Sequence, residues 1–255
     1  MNRKRLIVTD NSTLRSQFNA LASGDLIVGR VRLHRSEEQL LLDLVERGVK
    51  LFPSALSQLA SRSKTMQARL FSSRMLPLTH ALHDLHDLQK AMAAYQQNRV
   101  TAVVTKLDRK NAGMGIHLWP SVEDVFNQAS LGVLPFPFVL QPYIADARDI
   151  RAIFLGQYEE AYFRNNPDSF RNNLHFGGAS TPCTLTAQQR DLCLQTMERG
   201  KFPYAHIDLM VLPTGENYLA EINLGGGTRG ARISTAEYQA RLAAIHAAEM
   251  GKNQE

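Results

Sequence analysis

Apolar and polar residues alternate with period two in Tyr204-Ala-His-Ile-Asp-Leu-Met-Val-Leu212 and again in Asn217-Tyr-Leu-Ala-Glu-Ile-Asn223. Pro213-Thr-Gly-Glu216 supplies turn residues between them, so the pair predicts a β-hairpin. Further strands are predicted at 5–9, 25–28, 49–52, 99–106, 115–119, 138–143, 149–155 and 160–164, with 75–82 extended. Helical spacing predicts helices over 36–47, 63–74, 84–97, 121–129 and 186–198, and another opening at Ser234. Ser36 reads as the N-cap of the first and Gly48 as its terminator. The pattern implies a mixed α/β (α+β) chain with a short α/β lobe over 1–60, a second part over 61–140 and a third over 141–255.

Composition narrows the partners. With 44% hydrophobic and 21% charged residues, the 255-residue chain reads as soluble and globular. Its net charge of +5 suggests an acidic partner, yet only Arg3-Lys4-Arg5 is a tight cluster. Without an aromatic–basic platform no nucleic acid is expected, and an anionic small molecule or acidic peptide accounts for the balance. Cys183 and Cys193 lack metal-ligand spacing and read as reduced thiols of an intracellular protein. The basic start is followed only by Leu6-Ile7-Val8, too short for a signal-peptide core. The longest apolar run, Leu131 to Leu140, is broken by Pro135 and Pro137, so no membrane span and a cytoplasmic location are expected.

Candidate chemistry starts at the hairpin. Centred between Thr214 and Gly215, it sets Asp208 opposite Glu221, with Asn223 on the same face. Facing like charges repel, and a bound hard cation such as magnesium would relieve them. A solvated acidic face fits the hairpin alone equally well. Lys106 ends a strand and faces the loop Asp108–Gly115, whose Gly113 and Gly115 would let backbone approach phosphate oxygens. The spacing is not that of a Walker A loop, and a strand follows instead of a helix. Gln141-Pro-Tyr-Ile144 follows an apolar strand and offers backbone to a base edge. Asp149 and Arg151 share a strand face, while Arg164, Arg171, Asn172 and Asn173 gather around Phe170 in a pattern suited to anions. His80, His83 and His86 straddle a strand–helix junction and read as solvated, and Trp119 as packing.

The order of these clusters resembles the ATP-grasp superfamily over residues 60–235: Lys64, Lys106 with Asn111–Gly115, Gln141, Asp149-Ile-Arg151, Arg164, Phe170-Arg-Asn-Asn-Leu-His-Phe-Gly-Gly178, Asp208 and Glu221-Ile-Asn223. It is most similar to the carboxylate–amine ligases of the ribosomal-protein glutamate ligase and bacterial glutathione synthetase type. The resemblance implies an ATP-grasp fold with a short N-terminal lobe, ATP as cofactor, and two magnesium ions with manganese as an alternative. Lys64 and Lys106 would contact phosphates, and the loop with Asn111, Gly113 and Gly115 would cover them. Gln141 and the backbone of Tyr143 and Ile144 would bind adenine, and Asp208, Glu221 and Asn223 the metal. Arg164, Arg171 and Asn173 would be the catalytic set, with Asp149 and Arg151 shaping the acceptor side.

The implied reaction joins a carboxylate-bearing small molecule or peptide to an amine through an acylphosphate, releasing ADP and phosphate. A homodimer is compatible with the chain. A small-molecule kinase and a non-catalytic ATP-binding module stay open as alternatives, because Leu224-Gly-Gly-Gly-Thr-Arg-Gly230 replaces the usual Ser-Ser-Pro-Gly type stretch. Arg229 and Arg232 are candidates to clamp a substrate carboxylate. The N-terminal lobe is shorter than usual, so its substrate contacts would be missing or supplied by a partner.

Overall fold

Three sheets frame the molecule in a computed structural model, which describes residues 3–110, 113–172, 174 and 177–252. The first is parallel, in the order β1 (Ile7–Val8), β2 (Leu26–Val28), β3 (Lys50–Phe52). Helices α1 (Asn11–Gln17) and α2 (Leu40–Glu46) cover it, burying Leu14, Leu41 and Leu44 with Val8 and Ile27. The helix expected over 36–47 is shorter, because a 3-10 turn, Arg35–Glu37, comes first. Ser36 is not its cap: the Glu37 carboxylate reaches back to accept from the His34 backbone N–H at 2.9 Å. Gly48 does end it, at φ 76°, where Val49 donates back to the Leu44 carbonyl at 2.9 Å.

α3 (Ala55–Ala60) and α4 (Lys64–Leu70) lead to β4 (His80–Leu82), α5 (Leu85–Gln97), β5 (Val103–Leu107), β6 (Ile116–Trp119), α6 (Val122–Ser130) and β7 (Phe138–Pro142). The second sheet is antiparallel, ordered β4-β7-β5-β6. The strand expected from Arg99 begins only at Val103, because Arg99 adopts φ 54° and Val100 donates to the Tyr95 carbonyl at 2.9 Å, closing α5.

The third sheet holds β8 (Arg148–Leu155), β9 (Tyr158–Asn165), β10 (Ala179–Cys183), and, after α7 (Ala187–Gly200), β11 (Tyr204–Val211) and β12 (Asn217–Asn223), with α8 (Thr235–Gly251) last. Its order is β10-β9-β8-β11-β12, all antiparallel. β10 was not expected from the pattern; it is an edge strand, largely exposed, and carries Pro182, whose missing N–H an edge strand accommodates. Period two sends Ile150, Ala152, Ile207 and Leu209 into the core and Asp149, Arg151, Arg164 and Asp208 to the opposite face.

Two details fix the walls of that face. The hairpin sets Asp208 opposite Glu221, but its register shifts beside Leu209, which faces Leu219. Ala220 is the extra residue of a β-bulge, and bulging turns both Ala220 and Glu221 toward one side. Beyond it, the Gln67 side-chain amide on α4 donates to the Ile222 carbonyl at 2.8 Å and accepts from the Ile222 N–H at 3.0 Å. Ser61 Oγ accepts from Leu224 N–H at 2.9 Å. Among the described residues, no helix is long and apolar enough to cross a membrane.

Candidate functional site

A cavity of 1280 Å³ opens between the second and third sheets, with α4 at one side. Among the described residues it gathers Lys64, Lys106, Gly113, Gln141, Tyr143, Ile144, Asp149, Arg151, Arg164, Arg171, Asp208, Glu221 and Asn223. Asn111 and Asn173 lie outside the described residues. Gly115 does not line the cavity; its carbonyl accepts from Leu107 N–H at 2.8 Å to close the loop, and a Cβ there would meet Leu107 at 2.9 Å.

Local structure aims each cation. Asp108 accepts from Thr65 N–H at 3.1 Å and from Ser63 Oγ at 3.0 Å, pinning the first turn of α4. Lys64 Nζ then reaches the Lys110 carbonyl at 2.6 Å and Glu221 Oε1 at 3.0 Å. Lys106 stands on β5 deep in the cavity wall. Burial lowers the pKa of its ammonium and Lys64 adds to that, against the pull of Glu221, Asp149 and Asp208.

Asp208 sits at the centre of a carboxylate–guanidinium lattice across three adjacent strands. Arg151 grips it with Nε at 2.7 Å and a terminal nitrogen at 2.8 Å, and Arg164 adds a contact at 2.9 Å. Arg164 also holds Asp149 at 2.6 and 2.9 Å. Burial alone would raise the pKa of the Asp208 carboxyl, but the two arginines prevail and hold it far below the usual range. Asp149 goes the other way: burial pushes it up despite Arg164, and Asp208 adds to the shift.

The cation expected between Asp208 and Glu221 is thus not needed to relieve their repulsion. The chain's own Arg151, Arg164 and Lys64 supply the counter-charge. The donor set still suits a hard metal, because two carboxylates and the Asn223 amide oxygen face one cavity. No trio of His, Cys, Asp or Glu side chains converges as a metal cluster among the described residues, the histidines 80, 83 and 86 included.

On the cavity wall, Arg171 stacks 4.4 Å over Phe170 and donates to the Ile116 carbonyl, tying its loop to β6. Tyr143 meets the Phe170 edge at 6.4 Å. The Gln141 side-chain amide donates to Thr79 Oγ1 at 3.1 Å. Trp119 donates to Thr105 Oγ1 at 2.8 Å and packs. Arg232 does not line the cavity; it pairs with Glu160, whereas Arg229 does line it.

Arg30 and Arg148, which the pattern did not single out, also line the cavity, with Lys110 and Gly225–Gly227 from stretches that it did. Arg30 had a signal, since it follows a buried parallel strand, and carboxyl ends of such strands are where ligands bind.

Behind Gly226 lies His206, 2% exposed, with both ring nitrogens unpartnered among the described residues. Burial lowers its pKa from 6.5 to about 4, with Arg151 contributing. The folded state therefore keeps the imidazole neutral, so its stability is intact above pH 6.5 and is lost as pH falls toward 4. Between pH 7 and 4.5 this one group is expected to remove about 2 kcal/mol. Urea midpoints at the two pH values test it: the drop should shrink in His206→Phe.

Comparison with known proteins gives consistent relatives. The profile of the RimK-like ATP-grasp domain matches residues 62–245. A ribosomal protein bS6–L-glutamate ligase from Salmonella paratyphi B is 26% identical over 194 residues, covering 71% of this chain and 61% of that protein. The chain therefore spans 61% of the length of that curated relative. D-cycloserine synthetase shares the fold with a TM-score of 0.61 at 14% identity, over 96% of this chain and 99% of that one. The ATP-grasp ligase PsnB, complexed with a minimal precursor, Mg and ADP, superposes with a TM-score of 0.60 at 14% identity, over 87% of this chain and 77% of that one.

Proposed function

Because the chain belongs to the RimK-like ATP-grasp family, we propose that it is an ATP-dependent carboxylate–amine ligase, releasing ADP and phosphate. The observation that carries this reading is the convergence of Lys64, Lys106, Arg151, Arg164, Asp149, Asp208, Glu221 and Asn223 from two sheets and a helix on one 1280 Å³ cavity. Such a density of fixed charge suits phosphoryl transfer, where positioning and electrostatics do most of the work.

In this reading ATP lies between the sheets, its base against the backbone of Tyr143 and Ile144 and its phosphates against Lys64 and Lys106. Gly113, with Asn111, belongs to the covering loop. Asp208, Glu221 and Asn223 would hold two magnesium ions, or manganese in their place, which would neutralise phosphate charge. A substrate carboxylate oxygen attacks the γ-phosphorus in line, and the β–γ bridging oxygen leaves with ADP. Arg164 and Arg171, with Asn173, steady the transferring group and the acylphosphate. The amine then attacks the acyl carbon, the C–O bond breaks, and inorganic phosphate departs.

The relative's name makes L-glutamate the first amine to try. The expected result is release of ADP and orthophosphate in equal amounts, only with carboxylate and amine both present. ADP without orthophosphate would overturn the ligase reading, and failure to bind ADP would overturn the nucleotide site itself.

A further inference from the structure

One end of the cavity is furnished for a second anion. Arg30, exposed at the end of β2, lines the cavity beside Gly225–Gly227, as does Arg229. Neither guanidinium has a carboxylate or hydrogen-bond partner among the described residues. By contrast, Arg151 and Arg164 already hold Asp149 and Asp208. An unpaired cation in a concave wall is matched to an anion that arrives with the ligand.

The glycines make room for it. A Cβ at Gly225 would lie 3.1 Å from a terminal nitrogen of Arg30, and one at Gly226 would lie 2.8 Å from His206 Nδ1. A side chain at Gly225 would therefore crowd the Arg30 guanidinium, the space of Gly226 is already filled by the His206 ring, and beside Gly227 the cavity is open. His206, against which Gly226 packs, is two residues from Asp208 on the same strand face, so the glycine stretch stands roughly 7 Å along the sheet from the acidic centre. That offset separates it from the group that reacts.

Resting on the ligase reading, we propose that Arg30, seconded by Arg229 over the Gly225–Gly227 floor, anchors a non-reacting carboxylate of a substrate, as carried by a free amino acid or a peptide C-terminus. The short N-terminal lobe thereby contributes its own specificity-determining side chain to the cavity. The missing side chains at Gly225 and Gly227 are what leave the carboxylate its space beside Arg30.

The test is calorimetric titration of the full chain, saturated with ADP and magnesium, against a panel of L-amino acids and their α-carboxamides. The panel is L-glutamate, L-aspartate, L-alanine and L-lysine, each in both forms. Wild type should prefer at least one free carboxylate over its amide by about tenfold or more. Arg30→Gln should abolish that preference without changing ADP affinity, and Arg30→Lys should restore part of it. Arg190→Gln, at the surface pair with Glu159, should change nothing. ADP binding with no carboxylate preference in wild type overturns this assignment alone, as does a preference that survives Arg30→Gln. Loss of ADP affinity in Arg30→Gln also overturns it, and failure of wild type to bind ADP overturns both readings.

Discussion

Lys106→Ala is expected to slow ADP formation about 10³-fold while the melting temperature holds or rises. The lysine stands deep in the wall, where burial and Lys64 both disfavour its charge. Three carboxylates, Glu221, Asp149 and Asp208, favour it only in part. Removing a desolvated ammonium therefore relieves the resting protein, whereas phosphate that would have neutralised it loses its nearest donor. Paired measurements of ADP formation and thermal melting decide the case. A variant that loses activity and melts well below wild type would assign Lys106 to the scaffold.

Arg164→Met should have the largest effect on stability, a loss of about 3–5 kcal/mol. The side chain is only 6% exposed and joins Asp149 to Asp208. Without it the buried Asp208 and half-buried Asp149 carboxylates have Arg151 alone between them. The loss should also depend on pH. A carboxyl whose folded pKa lies above its unfolded value destabilises the fold above that pKa and ceases to do so below it. Asp149 is already raised with Arg164 present. The variant should accordingly be closer to wild type at pH 5 than at pH 8. Adding Asp149→Asn should recover part of the loss, a coupling that chemical denaturation of both single variants and the double variant measures directly.

The regular alternation of β8, β9, β11 and β12 made the third sheet legible, because one buried face forces period two. The same periodicity placed Asp208 opposite Glu221. It missed the bulge at Ala220, since an extra residue leaves the apolar pattern on either side intact. Arg99 hid the end of α5, because a left-handed terminus usually announces itself with glycine. β10 was hidden for a different reason: an exposed edge strand has no buried face to print on the sequence. Counter-charges to Asp208 were equally invisible, since Arg151 and Arg164 reach it from neighbouring strands whose order no local pattern specifies. Arg30 belongs with these, as its place in the cavity depends on how the first sheet meets the third.

The Gln67 amide, which hydrogen-bonds both polar groups of Ile222, acts as a single foreign rung on the outermost strand of the third sheet. With Ser61 satisfying Leu224, the rungs nearest Glu221 and Asn223 are closed to any additional chain seeking to extend the sheet. Lys64 and Gln67 lie one helical turn apart, so the same clip that blocks fibre-like growth also locks the spacing between the lysine and its carboxylate.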